Sequence, residues 1–391
     1  MIILGLISGT SLDAIDAAAV RFTRAGGTLT MHLLGHTETA WPAETRRRLL
    51  SALPPAPVGM AEVCALDGLV AEAFADAAQG HAADLIASHG QTTFHFIDQG
   101  RARGSLQLGQ PSVIAERTGL PVISNFRARD VAAGGQGAPL ASTLDAFWLA
   151  GGPTRAALNL GGIANITVVR PGAVLAFDTG PASCLLDLAA AQLSDGTLTC
   201  DRDGKLAAAG RVHPEALARL LADPYYQQPP PKSTGRELFD VHYVPRLLGS
   251  LNLSRPNTSG PDLSGPDLMA TLTELTARTV ADACRAHGVM EVVASGGGVH
   301  NPTLMAALRR ALHPTALVTS EARGLPADAK EAYLFALLGY LTWHGLPGTV
   351  PGATGGPPRI LGSVTPGTKP LRLPEPGLPI EKLLITSDAT P

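Results

Sequence analysis

Short apolar runs recur along this chain, and most of them stop at a cluster of glycine and hydroxyl side chains. The first, IILGLI, is fit for a buried strand. The polar stretch SGTSLD, Ser8 to Asp13, reads as a loop, and AIDAAAVRF as a second strand. A glycine turn in TRAGG leads into TLTMHLLGHTET, a third strand. Helical spacing takes over in PAETRRRLLSAL and from Glu62 to Gln79. ADLIAS predicts a strand ending in a polar loop, SHGQTTFH. LQLGQPSVIAERTGLPVISNF predicts a strand or loop, a short helix and another strand. The glycine-rich stretch RARDVAAGGQGAPLAS precedes a helix in STLDAFWLAG, and a domain boundary is expected between about Asp130 and Leu140.

A second cycle begins at RAALNLGGIANITVVR, which reads as strand, glycine turn and strand. AVLAFDTGPASCLLDLAAAQL adds a strand, a loop and a helix. This order echoes the start of the chain with weak residue identity, a hint of duplication. PDLMATLTELTARTVADACRAHG is the strongest helix, with Leu268, Leu272 and Leu275 near one face. EVVASGGGVHNPTLMAALRRAL reads as strand, glycine loop and helix, and LPADAKEAYLFALLGYLTWHG as a further apolar helix. From TVPGATGG onward the tail is rich in Pro and Gly and reads as irregular.

Composition narrows the classes. A chain of 391 residues suits two domains, and 45% hydrophobic content fills sizeable cores. With 16% charged residues and a formal net charge of -3, it lacks the basic stripe that nucleic acid or an anionic membrane surface requires. Cys64, Cys184, Cys200 and Cys284 form no CxxC pair, as expected of a reduced cytosolic protein. MIILGLI has no basic flank and meets Asp13 too soon for a signal peptide. No apolar run reaches the roughly 20 residues of a membrane span. A cytoplasmic protein is expected.

Candidate chemistry sits where the apolar runs stop. SGTSLD (8–13), NLGGIAN (159–165), FDTGP (177–181) and SGGGVHN (295–301) share one composition. The first joins two strands and carries neither GxxxxGK[ST] nor GxGxxG. Glycine, backbone N–H groups and hydroxyls can still cradle phosphate there, with Asp13 toward hydrated Mg²⁺; the same residues also make an ordinary polar turn. Four such stretches with two aspartates among them point to a nucleotide held between two domains. Asp178 is the candidate general base, or equally a cap on the helix that follows. SGGGVHN suits the adenosine side of a nucleotide, or a tight turn with a close backbone crossing. His89 and His95 have the wrong spacing for a metal site and read as substrate contacts or structural histidines. Arg127 and Asp130 offer a fork for a carboxylate and an acceptor for sugar hydroxyls, or a surface ion pair. Lys232, Ser233 and Thr234 read only as a loop with a helix N-cap.

SGTSLDAID, SHGQTTFH, NFRARDVAAGGQGAPL, NLGGIANIT, FDTGPASCLLD, PPKSTGRELF, SGGGVHNPTLM and KEAYLFALL, in this order, resemble the anhydro-N-acetylmuramic acid kinases. That family lies in the actin, Hsp70 and sugar-kinase superfold, and the resemblance runs from about Ile3 to about Gly367. It implies an α/β protein with two ribonuclease-H-like (actin-like ATPase) domains flanking a nucleotide cleft. The domains would be 1–133, completed by 346–370, and 134–345, with an irregular tail at 371–391. It implies ATP with Mg²⁺ and a small sugar substrate, 1,6-anhydro-N-acetylmuramic acid. Water would open the anhydro bridge while O6 takes the γ-phosphoryl group.

Carried over residue by residue, the resemblance makes Asp178 the activator of water and Glu331 its helper. The ATP contacts would be Gly9, Thr10, Ser11, Leu12, Asp13, Ala14, Ile15, Asp16, Asn159, Gly161, Gly162, Asn165, Thr179, Gly180, Gly296, Gly297, Gly298 and Asn301. The sugar contacts would be His89, Gln91, Arg127, Asp130 and Gln136, and Asp13 would reach the metal through water. Ala14, Asn125, Ser183 and Ser295 depart from the family pattern. A homodimer is admitted without being specified. Two other readings stand beside this one: a kinase phosphorylating a hydroxyl of another sugar directly, and an actin- or Hsp70-like nucleotide switch.

Overall fold

The computed structural model describes residues 1–9, 11–235, 237–249 and 263–387. Its strands are β1 (Ile2–Ser8), β2 (Ala14–Ala25), β3 (Thr28–Ala40), β4 (Leu85–Asp98), β5 (Arg101–Leu108), β6 (Val122–Ser124), β7 (Arg155–Leu160), β8 (Ile163–Arg170), β9 (Ala173–Pro181), β10 (Glu291–Ser295), β11 (Ala316–Thr319), β12 (Ser363–Thr365) and β13 (Lys382–Ser387). The chain divides into two compact units. One comprises Met1–Ala150 with Gly324–Pro391, the other Gly151–Arg323.

In the first unit the sheet runs β12-β6-β4-β1-β2-β3-β13, with β5 paired to β4. β1 is apolar throughout because both of its faces are covered. Ile3 and Ile7 enter one core, with the helix Lys330–Trp343, while Leu4 and Leu6 enter another, with the helix Met60–Ala77. The helix Lys330–Trp343 is buried on nearly every side, which its uniformly apolar sequence requires. It lies directly on β1. A Cβ added to Gly5 would come 1.9 Å from the Ala332 carbonyl oxygen, so glycine is needed for this approach.

In the second unit the sheet runs β11-β10-β7-β8-β9. β8 is antiparallel to β7 and β9, while β10 and β11 run parallel to β7 and to each other. The helices Gly265–Ala286 and Pro302–Leu312 pack on it around Ala277, Val280, Leu304 and Leu308. β3-β2-β1-β4-β6 of the first unit has the same order and directions. The duplication hinted at by the sequence is therefore one of topology, and it is the ribonuclease-H-like order that the resemblance implies.

Several local expectations are corrected. The units divide after Ala150 and Arg323, because the helices Ala141–Trp148 and Lys330–Trp343 pack into the first core. The tail contributes β13, which joins β3 in parallel from Lys382 opposite Thr28 to Ser387 opposite Leu33. SHGQTTFH is the continuing body of β4, held by antiparallel pairing to β5 through two register shifts. RARD enters a short helix, Ala128–Ala132. FDTGP lies inside β9, and only Gly161 and Gly162 of NLGGIAN fall outside strands. Among the described residues no helix is long and apolar enough to cross a membrane.

Candidate active site

The first unit presents the turn between β1 and β2. Leu12 N–H donates to the Gly9 carbonyl (3.1 Å), and Leu12 is fully buried at φ +57°, a strained setting for leucine. The carbonyls of Gly9 and Leu12 both take side-chain donors. Gln91 Nε2 donates to Gly9 O (3.2 Å), and Arg46 Nε donates to Leu12 O (2.7 Å). Gly9 is open: an added Cβ would meet nothing nearer than Ser11 Oγ at 3.8 Å. An anion can therefore approach this backbone. Thr10 lies outside the described residues. Asp13 is exposed and stands 3.8 Å from Arg46. Ile15 points into the core. Asp16 sits in β2 opposite Glu38, and burial, then Glu38, Glu331 and Asp328, push its carboxyl up to about 6.

The residues expected on the sugar side make hydrogen bonds within the first unit. His89 is buried, its ring stacked 4.2 Å from Phe335. Arg127 Nε donates to His89 Nε2 (3.3 Å), Nη2 lies 3.2 Å from the same nitrogen, and Nη1 donates to Gly137 O. Burial and then the Arg127 charge hold the His89 pKa well below its ordinary value, so the ring is neutral with its proton on Nδ1. That Nδ1 is buried without a hydrogen-bond partner among the described residues, as is Nδ1 of His95. Asp130 is fully buried. Its Oδ2 accepts Gly137 N–H (2.7 Å) and its Oδ1 accepts the Thr354 hydroxyl (2.8 Å), so the carboxylate ties the GGQGAP loop to residue 354. Gln136 spans to the β4–β5 turn, accepting Ala102 N–H and donating to Gly100 O. Glu331 is exposed in the first turn of the helix Lys330–Trp343. Desolvation raises its carboxyl while Arg127 and Lys330 pull it down.

The second unit presents Asp178. It sits in β9 at a register shift against β8 and is half-buried. Thr234 N–H donates to Oδ2 (2.8 Å), while Oδ1 takes no hydrogen bond among the described residues. Burial raises the carboxyl to about 6, the Thr234 N–H working against it and Glu237 with it. A carboxylate with one oxygen pinned, the other free, and a pKa just under neutrality is suited to take a proton from water. It does not cap the following helix, which has no side-chain cap.

The glycine sites share this unit. Gly296 has φ +83°, and a Cβ there would lie 2.6 Å from Asn159 Oδ1; at Gly298 it would meet Leu160 Cβ at 2.6 Å. Both glycines let the chain after β10 pass close to the end of β7. Gly297 faces open space, with nothing within 4 Å of an added Cβ. The N–H groups of Ala182 and Cys184 donate to Gly162 O, and that of Ser183 to Gly161 O, docking the helix Ser183–Leu193 on the turn. Asn165 pairs with Asn159 and Asp178 across the strands. The Thr179 hydroxyl turns inward to Ala164 O, Gly180 fits under Tyr226, and Asn301 caps the helix Pro302–Leu312. Asn125 has φ +57°, which asparagine and aspartate both tolerate, so that departure from the family pattern is conformationally neutral.

Thr234 and Lys232 are site residues that sequence reasoning missed. Thr234 lies 56 residues from Asp178 along the chain, and no spacing rule connects them. No group of three His, Cys, Asp or Glu side chains able to hold a metal occurs among the described residues. A nucleotide's Mg²⁺ would be carried by phosphates and water, and the exposed Asp13 is able to meet that water.

Residues 1–367 match the family model described as anhydro-N-acetylmuramic acid kinase. The chain is 54% identical over 383 residues to an anhydro-N-acetylmuramic acid kinase of Streptomyces avermitilis, covering 96% of this chain and 97% of that one. It is 51% identical over 386 residues to one of Streptomyces coelicolor, covering 96% of each. To one of Rhodococcus erythropolis it is 47% identical over 389 residues, covering 95% of this chain and 96% of the relative.

Proposed function

The chain belongs to the anhydro-N-acetylmuramic acid kinase family, and from that premise we propose that Asp178 is the base of its reaction. The enzyme is an ATP-dependent sugar kinase acting on 1,6-anhydro-N-acetylmuramic acid. Asp178 Oδ1 takes a proton from water, whose oxygen bonds to C1 of the sugar. The C1–O6 bond breaks, and O6 bonds to the γ-phosphorus as ADP leaves. The products are N-acetylmuramic acid 6-phosphate and ADP, with the proton left on Asp178 and released to solvent.

The observation that carries this reading is the asymmetric carboxylate of Asp178, one oxygen pinned by Thr234 N–H and the other without a hydrogen bond among the described residues. The turn at Gly9–Asp13 binds the ATP phosphates, supported by its open Gly9 and by side-chain donors on the carbonyls of Gly9 and Leu12. Asp13 would hold the water shell of the Mg²⁺ that accompanies ATP, and that ion would neutralise phosphate charge. Gly297 offers the flat open surface on which the nucleoside lies. In this reading Arg127, held by His89, lies on the sugar side, and Glu331 assists Asp178. A cytoplasmic setting belongs to this reading, supported by four free cysteines.

Turnover with ATP, Mg²⁺ and the anhydro sugar in ¹⁸O-water tests it. A phosphorylated sugar carrying one solvent oxygen is expected. A phosphorylated product without solvent oxygen would mean direct transfer to an existing hydroxyl and would overturn the role of water.

A further inference from the structure

The stretch PPKSTG wraps Asp178 at both its backbone and its side chain. Asp178 N–H donates to Lys232 O (3.0 Å), and Thr234 N–H donates to Asp178 Oδ2 (2.8 Å). Tyr225 Oη donates to Asp178 O (2.8 Å). The ammonium of Lys232 ties the stretch to residues 225 and 226. It donates to the carbonyls of Tyr225 (2.9 Å) and Tyr226 (3.4 Å) and lies 4.5 Å from the Tyr225 ring centroid. These contacts close a circuit: Tyr225 to Asp178, Asp178 to Lys232, and Lys232 back to Tyr225.

We propose that Lys232 is a positioning residue for the catalytic base, its ammonium fastening residues 232–234 to the turn Pro224–Gln227 so that Asp178 is held in one orientation. This rests on the reading of Asp178 given above. A lysine leaves water only where its hydration is replaced, and here two carbonyls and an aromatic face replace it. Burial lowers its pKa, as such a partly dry site demands. Lys232 acts through geometry rather than charge: burial, the Thr234 N–H and Glu237 account for the shift of Asp178. The gain is a fixed Oδ1, since a reacting group displaced by about 1 Å loses on the order of a hundredfold in rate.

Lys232→Met keeps the apolar stem on Tyr225 and removes the donors, while Lys232→Arg restores a cation with donors. The Met variant should lose about 10- to 100-fold in kcat, with the KM for ATP essentially unchanged. Its acid limb should move to higher pH, because the Thr234 N–H bond lowers the Asp178 pKa and its loss raises it. The Arg variant should recover most of the rate. A raised KM for ATP with kcat and acid limb unchanged would overturn the proposal in favour of a nucleotide contact, and so would wild-type behaviour of the Met variant. Should the Met variant not fold, Tyr225→Phe deletes only the hydroxyl donor to Asp178 O and should lower kcat several-fold; unchanged kcat there would sink the circuit. Asp178→Asn is assayed alongside. If it keeps turnover, the base assignment fails; if it is inactive while the Lys232 and Tyr225 variants are normal, the positioning proposal alone fails.

Discussion

Replacing Asp178 by asparagine should make the protein more stable near neutral pH while removing most of its turnover. The carboxyl is raised from 3.8 to about 6, mainly by burial. A group whose folded pKa is raised favours folding while it is protonated. Its contribution is complete below 3.8 and is lost as the pH climbs through about 6. The separation corresponds to about 3 kcal/mol, and relaxation with water entry brings the expected figure to about 1–3 kcal/mol. An uncharged amide at this position would carry no such cost, and its oxygen can still accept the Thr234 N–H. For a domain the size of the second unit this is about 2–4 °C in Tm for each kcal/mol. Calorimetric melts of the two proteins from about pH 4 to about pH 8 measure it. The variant should melt higher above about pH 7, and the gap should close as acid protonates the wild-type carboxyl. A gap that is absent near neutrality, or that widens in acid, would refute the desolvated-carboxylate reasoning. Turnover should fall about 10²- to 10⁴-fold, the usual worth of a general base.

The wild-type profile of kcat/KM should fall on the acid side near pH 6, and the residual activity of Asp178→Asn should lack that limb; a limb that persists would belong to Asp16, also raised to about 6. Gly5→Ala should cost about 3 kcal/mol or more in chemical denaturation, because its Cβ meets backbone atoms of Ala332 and Ala336 at 1.9 and 2.7 Å; wild-type stability would disprove that close packing. Gly297→Ala should fold with unaltered stability yet raise the KM for ATP, while Gly296→Ala, at φ +83° and against Asn159, should be destabilised. An unchanged KM in the folded Gly297 variant would remove that glycine from the nucleotide surface.

The sheets were legible because β1, β4 and β7 are covered on both faces and must be apolar, and the turns between them are marked by glycine. The outer half of β4 was not. From Gln91 onward it is held by backbone pairing to β5 with mixed side chains, so its sequence reads as loop. The helix Lys330–Trp343 was recognisable, but not its destination, since its partner β1 lies at the far end of the sequence. Asp178 stood out through its glycine neighbours and the family resemblance. Its setting did not: Thr234 reaches it with a backbone N–H, a group every residue but proline carries. Asp130 carries the same lesson in reverse. A carboxylate beside an arginine suggests a ligand, yet its partner Thr354 comes from 224 residues away and turns it into a brace.

The division of the chain has a consequence for how the protein is made. The second unit is one uninterrupted stretch, Gly151–Arg323, whereas the first needs both Met1–Ala150 and residues from Gly324 onward. The helix Lys330–Trp343 fills the core under β1, and β13 closes the edge beside β3. Domains fold as units during synthesis. On the ribosome the middle of the chain can therefore finish folding while the earlier-made β1–β4 region still waits for its missing helix. The earlier-made part of the first unit is therefore among the last to settle, and that interval is when a chaperone would find exposed apolar strands to hold.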